Sequence, residues 1–226
     1  MVGVPPGRRM VVASGPVDSR RVPTNVFPAS PKGHRDPRIV VRKMALLNAP
    51  HMKPLTEFAK KIAEERKAEV PLFDPASGGI DAKVLLLLES PGPKSVAGSG
   101  SGLISLDNDD QTAVNGFTAM AEAGLSRQVC LNWNVVPWYL SGHAPTPADL
   151  RAAIPYLVEL LRMLKSLKAV VVLGTPAGTG WNLSGKGYGL KVFNAPHPSP
   201  QSINRDRATR WPQLVEAFRQ AAAAIA

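Results

Sequence analysis

Two short runs limit what this chain can fold into. Val84-Leu85-Leu86-Leu87-Leu88 and Ala169-Val170-Val171-Val172-Leu173 contain no polar residue. Each is too short for a core helix and far short of the ~20 residues that a membrane span needs. Strands buried on both faces read this way, and such strands belong to parallel sheets covered by helices. Weaker strand patterns fall at Val129–Val136 and Leu190–Ala195. Between and after them lie helical patterns at Thr112–Glu122, Thr146–Lys165, from about Pro176, and Arg207–Ala224. An earlier helix is expected over Thr56–Glu69, with Phe58, Ile62 and Ala63 on one face. The expected class is α/β: three layers, α/β/α, around a central four-stranded, mostly parallel sheet.

The chain before Lys83 is different. Residues 1–54 hold nine of the 22 prolines, and residues 1–43 hold nine Arg/Lys against two acids. Closely spaced prolines oppose both helix and sheet ladder. The expectation is a basic, proline-rich arm over 1–54, extended over 1–43 with little structure of its own there, followed by one domain over 55–226. The remaining residues, 44–226, carry eighteen basic against fifteen acidic side chains, so most of the formal charge of +10 sits in the arm. Polyanions, nucleic acid first, are its natural partner. The start of the chain has early prolines and no apolar run of the secretory kind, so no secretory signal is expected. The expected protein is cytoplasmic and nucleoid-associated, a monomer, and without membrane partners, since no apolar run reaches the length of a span.

The single cysteine, Cys130, excludes an internal disulfide, a cysteine-ligated iron–sulfur cluster and a Cys-rich zinc site. It lies in an apolar run and reads as a buried small hydrophobe. No metal and no cofactor are expected. Phosphate-cradling glycine motifs of the dinucleotide and P-loop kinds are missing as well.

In parallel α/β sheets, ligands sit beyond the carboxyl ends of the strands. Three polar clusters fall there: Glu89-Ser90-Pro91-Gly92-Pro93, Asn132-Trp133-Asn134 and His197-Pro198-Ser199-Pro200-Gln201-Ser202. Prolines flank His197 and Ser199 and stiffen their loop, which suits an imidazole aimed at developing charge. Asn132 and Asn134 share one side of a regular strand. An asparagine amide donates and accepts side by side, as a base edge requires.

These motifs, in this order and at these strand ends, resemble the uracil-DNA glycosylase superfamily over about residues 83–226. Leu88–Gly92 is similar to its first motif (GQDPY, GINPG or GEAPG), and His197–Ser202 to its last (HPSPLS). The stretch between them looks like the middle of the bacterial thermostable family, with Asn134 in the place of the uracil-reading asparagine. The resemblance implies a monofunctional DNA repair glycosylase of base excision repair that flips uracil, or another damaged base, out of DNA and hydrolyses its N-glycosidic bond. It implies that His197 stabilises the uracil anion, with backbone amides around Pro91 and Gly92 assisting, and that Asn134 reads the base. Ser95, Ser199, Ser202 and Arg205 would hold phosphates, and Gln201 stands at the position of the leucine wedge. Ser90 occupies the place of the catalytic aspartate, and serine is no general base. Glu89 is therefore the first choice to position water, and the acidic loop Asp107, Asp109 and Asp110 the second. Asn108, in the loop that replaces the base-stacking phenylalanine, is a substrate-binding candidate. Gly92 replaces a thymine-excluding tyrosine. The cluster cysteines of the thermostable family are missing, which marks an atypical, cluster-free branch. Two rival readings remain: a DNA-binding protein of this fold without catalysis, and a serine hydrolase using Ser90 or Ser199 with His197.

Overall fold

The computed structural model describes Phe27, residues 30–184 and residues 187–226. Its helices are α1 Pro37–Ala45, α2 Lys53–Arg66, α3 Gln111–Ala123, α4 Pro147–Met163, α5 Thr175–Ser184, α6 Pro200–Ile203 and α7 Arg207–Ala223. Its strands are β1 Leu72–Phe73, β2 Val84–Leu88, β3 Leu103–Ile104, β4 Cys130–Asn134, β5 Ala169–Leu173 and β6 Lys191–Ala195. The main sheet runs β4-β2-β5-β6 and every pairing in it is parallel. A small parallel ladder joins β1 to β3.

The apolar runs behave as their composition demands. All of β5 is buried, and so is β2 up to its last residue. Alternation sends Leu85, Leu87, Leu131, Trp133, Val170 and Val172 into one core, against Phe58 and Ile62 of α2, Leu150 and Leu157 of α4, and Trp181 of α5. Val84, Leu86, Cys130, Val171 and Leu173 enter a second core with Ala119 and Met120 of α3 and Leu214 and Phe218 of α7. Each fully buried leucine contributes about 1.5–3 kcal/mol relative to exposure. The three-layer α/β/α arrangement follows. β6 is an edge strand and largely exposed.

The helices start where local chemistry permits. Asp110 caps α3 by accepting the Ala113 N–H at 2.9 Å. Thr146 and Asp149 form a reciprocal capping box at α4. Asp206 caps α7.

The reading of 1–43 as an extended arm is corrected over its last part. Residues 37–45 form a helix, begun by Asp36, which accepts the Arg38 N–H at 3.0 Å, and by Pro37 in its first turn. Proline suits that position, because its missing N–H has no helical partner there in any case. Lys43 at the far end of α1 is fully buried. Residues 1–26, 28 and 29 of the expected arm lie outside the described residues. No helix among the described residues is long and apolar enough to cross a membrane.

Candidate active site

The loops after β2 and β6, the end of β4 and the start of α3 enclose a cavity of about 230 Å³. Ser90, Pro91, Gly92, Asn134, Asp110 and His197 line it. Its volume lies below the ~300–1,000 Å³ of pockets for drug-sized ligands, so it suits a single nucleobase better than a whole nucleotide.

His197 is held in one chemical state. The Ser199 backbone N–H donates to its Nδ1 at 3.2 Å. An accepting Nδ1 leaves the proton of a neutral imidazole on Nε2. Burial lowers the pKa of this ring to about 4, so it is neutral at physiological pH. The loop around it is anchored by Asn115 of α3, whose Nδ2 donates to the Pro198 carbonyl at 2.7 Å, and Asn115 in turn accepts from Gln111 at 3.0 Å. Gly174, just after β5, has φ +91°, and a Cβ there would stand 3.0 Å from the His197 Cβ. A glycine is therefore required beside the histidine.

Asn132 and Asn134 both reach the cavity from the α3/α7 side of β4, as alternation requires. Asn134 is buried, and Leu88 pairs with it across the sheet. The ladder continues past the strand: Val135 N–H donates to Leu88 O at 2.8 Å and Val136 N–H to Glu89 O at 3.0 Å. The first motif is thereby fixed beside the end of β4. Trp133 points to the opposite core, where it stacks on Phe73 at 4.3 Å between ring centroids.

The acidic candidates separate. Asp110 lines the cavity while capping α3, and burial raises its pKa against the pull of the backbone N–H groups it accepts. Glu89 faces a wide groove of about 1510 Å³ beside the cavity, and burial raises its pKa too. Asp107, expected as a water-positioning alternative, is instead fully buried in a cluster of charges. It receives Lys43 Nζ at 2.6 Å and Arg127 at 2.8 Å. Asp74 accepts from the same two cations at 2.7 and 3.0 Å. Burial alone would raise the Asp74 pKa; Lys43 and Arg127 outweigh it and hold the carboxyl far below the usual range. Asp109, the other expected alternative, is turned outward and paired with Lys32 and Arg35, each at 3.0 Å. Its carboxylate is engaged by cations and is not among the groups lining the cavity.

Asn108 borders the cavity, but its amide is spent on the protein. Nδ2 donates to Leu103 O at 3.0 Å and Ser95 Oγ at 3.1 Å, while Oδ1 accepts from Ser101 Oγ at 2.7 Å and meets His34 Nδ1 at 2.8 Å. It is a clamp between loops rather than a base reader.

His197 also lines the wide groove, together with Ser199, Gln201, Ser202 and Arg205. The Ser199 hydroxyl accepts the Ser202 N–H at 3.3 Å, and Ser202 Oγ accepts from Arg210 at 3.1 Å. The described hydrogen bonds of His197 include neither the Ser90 nor the Ser199 hydroxyl, so the dyad of a serine hydrolase is not assembled. Sequence reasoning missed Asn115, Arg210 and the role of Gly174. Only Gly174 left a signal, as the glycine that closes an apolar strand.

Among the described residues, no group of three or more His, Cys, Asp or Glu side chains is gathered in a way that could hold a metal ion. The cavity instead offers a neutral imidazole, a buried carboxamide and a carboxylate around a space of nucleobase size.

The model of the uracil DNA glycosylase superfamily matches residues 75–222, which takes in all four strands of the main sheet and every residue that lines the cavity. No protein of curated function matches the chain. With its four-stranded parallel sheet and its cavity at the carboxyl ends of the strands, this chain belongs to the uracil DNA glycosylase superfamily.

Proposed function

We propose that the protein is a monofunctional DNA glycosylase that takes uracil out of the base stack and hydrolyses its N-glycosidic bond. The observation that carries this reading is the neutral His197, with its proton on Nε2, on a nucleobase-sized cavity that it shares with Asn134.

Asn134 accepts from uracil N3–H and donates to O4. Cytosine offers the opposite pattern and leaves buried polar groups unpaired, which disfavours it. As the C–N bond breaks, the sugar becomes oxocarbenium-like and negative charge gathers on the uracil oxygens. His197 Nε2–H donates to that charge at O2. Contacts of this kind are worth ~2.7–4 kcal/mol in other enzymes, about 10²–10³ in rate. A neutral donor suits the role, because it strengthens as the anion forms and does not hold the neutral base in advance. Ser90 supplies no carboxylate, so Asp110 orients the attacking water, and Glu89 stands on the groove side of the histidine. Ser199, Gln201, Ser202 and Arg205 lie along the groove that would carry the strand. Flipping the base costs a few kcal/mol, least on single strands.

The test is incubation with single- and double-stranded DNA containing one uracil, followed by alkali. Strand cleavage at uracil is expected from the wild type. His197→Ala is expected to slow base release about 10²–10³-fold with DNA affinity nearly unchanged. Tight binding without cleavage would favour the rival reading of a non-catalytic DNA-binding protein.

A further inference from the structure

The segment before α2 reaches across the molecule to the loop that ends in Asp110. His34 N–H donates to the Asp107 carbonyl at 2.9 Å, and His34 Nδ1 meets Asn108 Oδ1 at 2.8 Å. Lys32 and Arg35 hold Asp109, each at 3.0 Å. Lys43 holds Asp107 from inside at 2.6 Å. Residues 107, 108 and 109 are each gripped in turn, and the next residue is the carboxylate on the cavity.

We propose that residues 32–43 form a strap of the active site, and that His34 is a positioning residue that sets Asp110 through Asn108. The proposal rests on the glycosylase reading only for the consequence it has on rate. Residues 105–110 lie between β3 and α3 and belong to no helix or strand, so no backbone ladder fixes their path. Asn108 is 2 % exposed, and a buried amide must be paired. Its carboxamide oxygen accepts from Ser101 Oγ and from His34, and the second bond requires that His34 carry its proton on Nδ1. Through the other end of the same amide, the link runs on to Ser95 in the loop after Gly92. One imidazole thus ties together two of the segments that wall the cavity, the loop after β2 and the loop before α3. The same contacts account for basic charge that sequence reasoning had assigned to DNA. Lys32, Arg35 and Lys43 face carboxylates of the protein itself, and Arg38 is paired with Asp36.

The experiment compares full-length wild type, His34→Ala and His34→Asn, whose amide can replace the Nδ1–H donor. Amide hydrogen exchange over residues 107–113 is read in the free protein, and kcat and KM on a uracil-containing single strand in parallel. His34→Ala is expected to raise exchange in that loop about tenfold while β2 and β5 stay protected. It is expected to lower kcat roughly ten- to hundredfold with KM within about twofold, as for a misplaced catalytic group. His34→Asn is expected to restore both. Should His34→Ala fail to fold, Asp109→Ala releases Lys32 and Arg35 at the surface and is expected to raise loop exchange about two- to fivefold. Unchanged loop exchange in the folded variants, or exchange raised evenly through the sheet, overturns the strap. The exchange measurement needs no activity, so a wild type that releases no base would defeat the glycosylase reading while leaving the strap decided on its own.

Discussion

The backbone N–H of Ser199 donates to Nδ1 of His197 across 3.2 Å, two residues along the same proline-braced loop. That one bond decides which nitrogen faces the substrate with a proton. Burial then keeps the ring neutral, with a pKa of about 4.

The first consequence is a pH dependence with a definite sign. In the unfolded chain His197 titrates near its ordinary 6.5, and in the fold near 4. Between those values the unfolded state binds more protons, so stability rises with pH. The contribution of His197 is complete above about pH 6.5 and is lost as pH falls through about 4. NMR titration of the ring is expected to show no charging at pH 6. The excision rate is expected to show no inflection near 6.5, and an inflection there would contradict an imidazole that the fold holds neutral.

Asp110 and Glu89 both have raised pKa values through burial, but of the two only Asp110 lines the cavity. Asp110→Asn keeps the cap on α3 and removes the base. It is expected to cost about 10²–10⁴ in kcat, the usual range for a general base. Glu89→Gln is expected to cost less than tenfold. Since the carboxylate must be ionised, the acid limb of the rate profile lies above the usual aspartate range and vanishes in Asp110→Asn. Single-turnover rates across pH check both, and a larger loss in Glu89→Gln would move the water to the groove side.

The brace behind His197 is open to test at two points. Gly174→Ala places a methyl group 3.0 Å from the His197 Cβ at φ +91°. Strain of this kind costs about 1–3 kcal/mol. Asn115→Leu removes the donor to Pro198 O. Both are expected to lower kcat about tenfold or more while uracil-DNA affinity changes little. Thermal denaturation separates the stability cost from the loss in rate, and full activity in both would mean that the prolines alone hold the loop.

Gly92 has open space where a side chain would be: nothing lies within 4 Å of an added Cβ. Trp133 and Trp138 are packed in the core on the far face of the sheet and do not fill that space. The cavity is therefore expected to admit bases larger than uracil, such as a 5-substituted uracil or a deaminated purine. Gly92→Tyr is expected to reduce action on those about ten- to hundredfold while sparing uracil more. Competition assays with paired substrates measure the ratio. Strict uracil specificity in the wild type, unaltered by Gly92→Tyr, would show that another wall excludes them.

Arg8, Arg9, Arg20 and Arg21 precede the strap. Deleting residues 1–26 is expected to flatten the salt dependence of DNA binding, by about 0.9 in slope for each phosphate that is no longer neutralised. Deleting 1–43 removes the strap as well and is expected to destabilise the protein, which circular dichroism would report. Identical salt slopes before and after the shorter deletion would show that these arginines do not meet DNA.

The sheet was legible because strands buried on both faces tolerate no polar residue, and β2 and β5 have none. His197 and Asn134 were legible because rigid prolines and a polar residue in an apolar strand are both costly without a purpose. The acids were not. Asp107, Asp109 and Asp110 are alike in sequence, and backbone direction alone sends one into a charge cluster, one to solvent and one to the cavity. α1 was hidden by its composition, since prolines and arginines suggested an arm. What anchors it is Lys43, whose partners Asp74 and Asp107 lie 31 and 64 residues away. Asn115 was hidden for the same reason: its partner Pro198 is 83 residues off. Local pattern carries no trace of such pairs.

The quartet of buried Lys43, Asp74 and Asp107 with half-buried Arg127 has two charges of each sign and no net charge. Losing any one member leaves an uncompensated charge in the interior, which costs ~3–5 kcal/mol, whereas replacing the set by apolar side chains of similar volume can be neutral. The four positions are thus one unit of inheritance. In descendants of this chain they are expected to persist together or to disappear together, and a lineage that changes one must pass through a poorly folded intermediate or change a second at the same time.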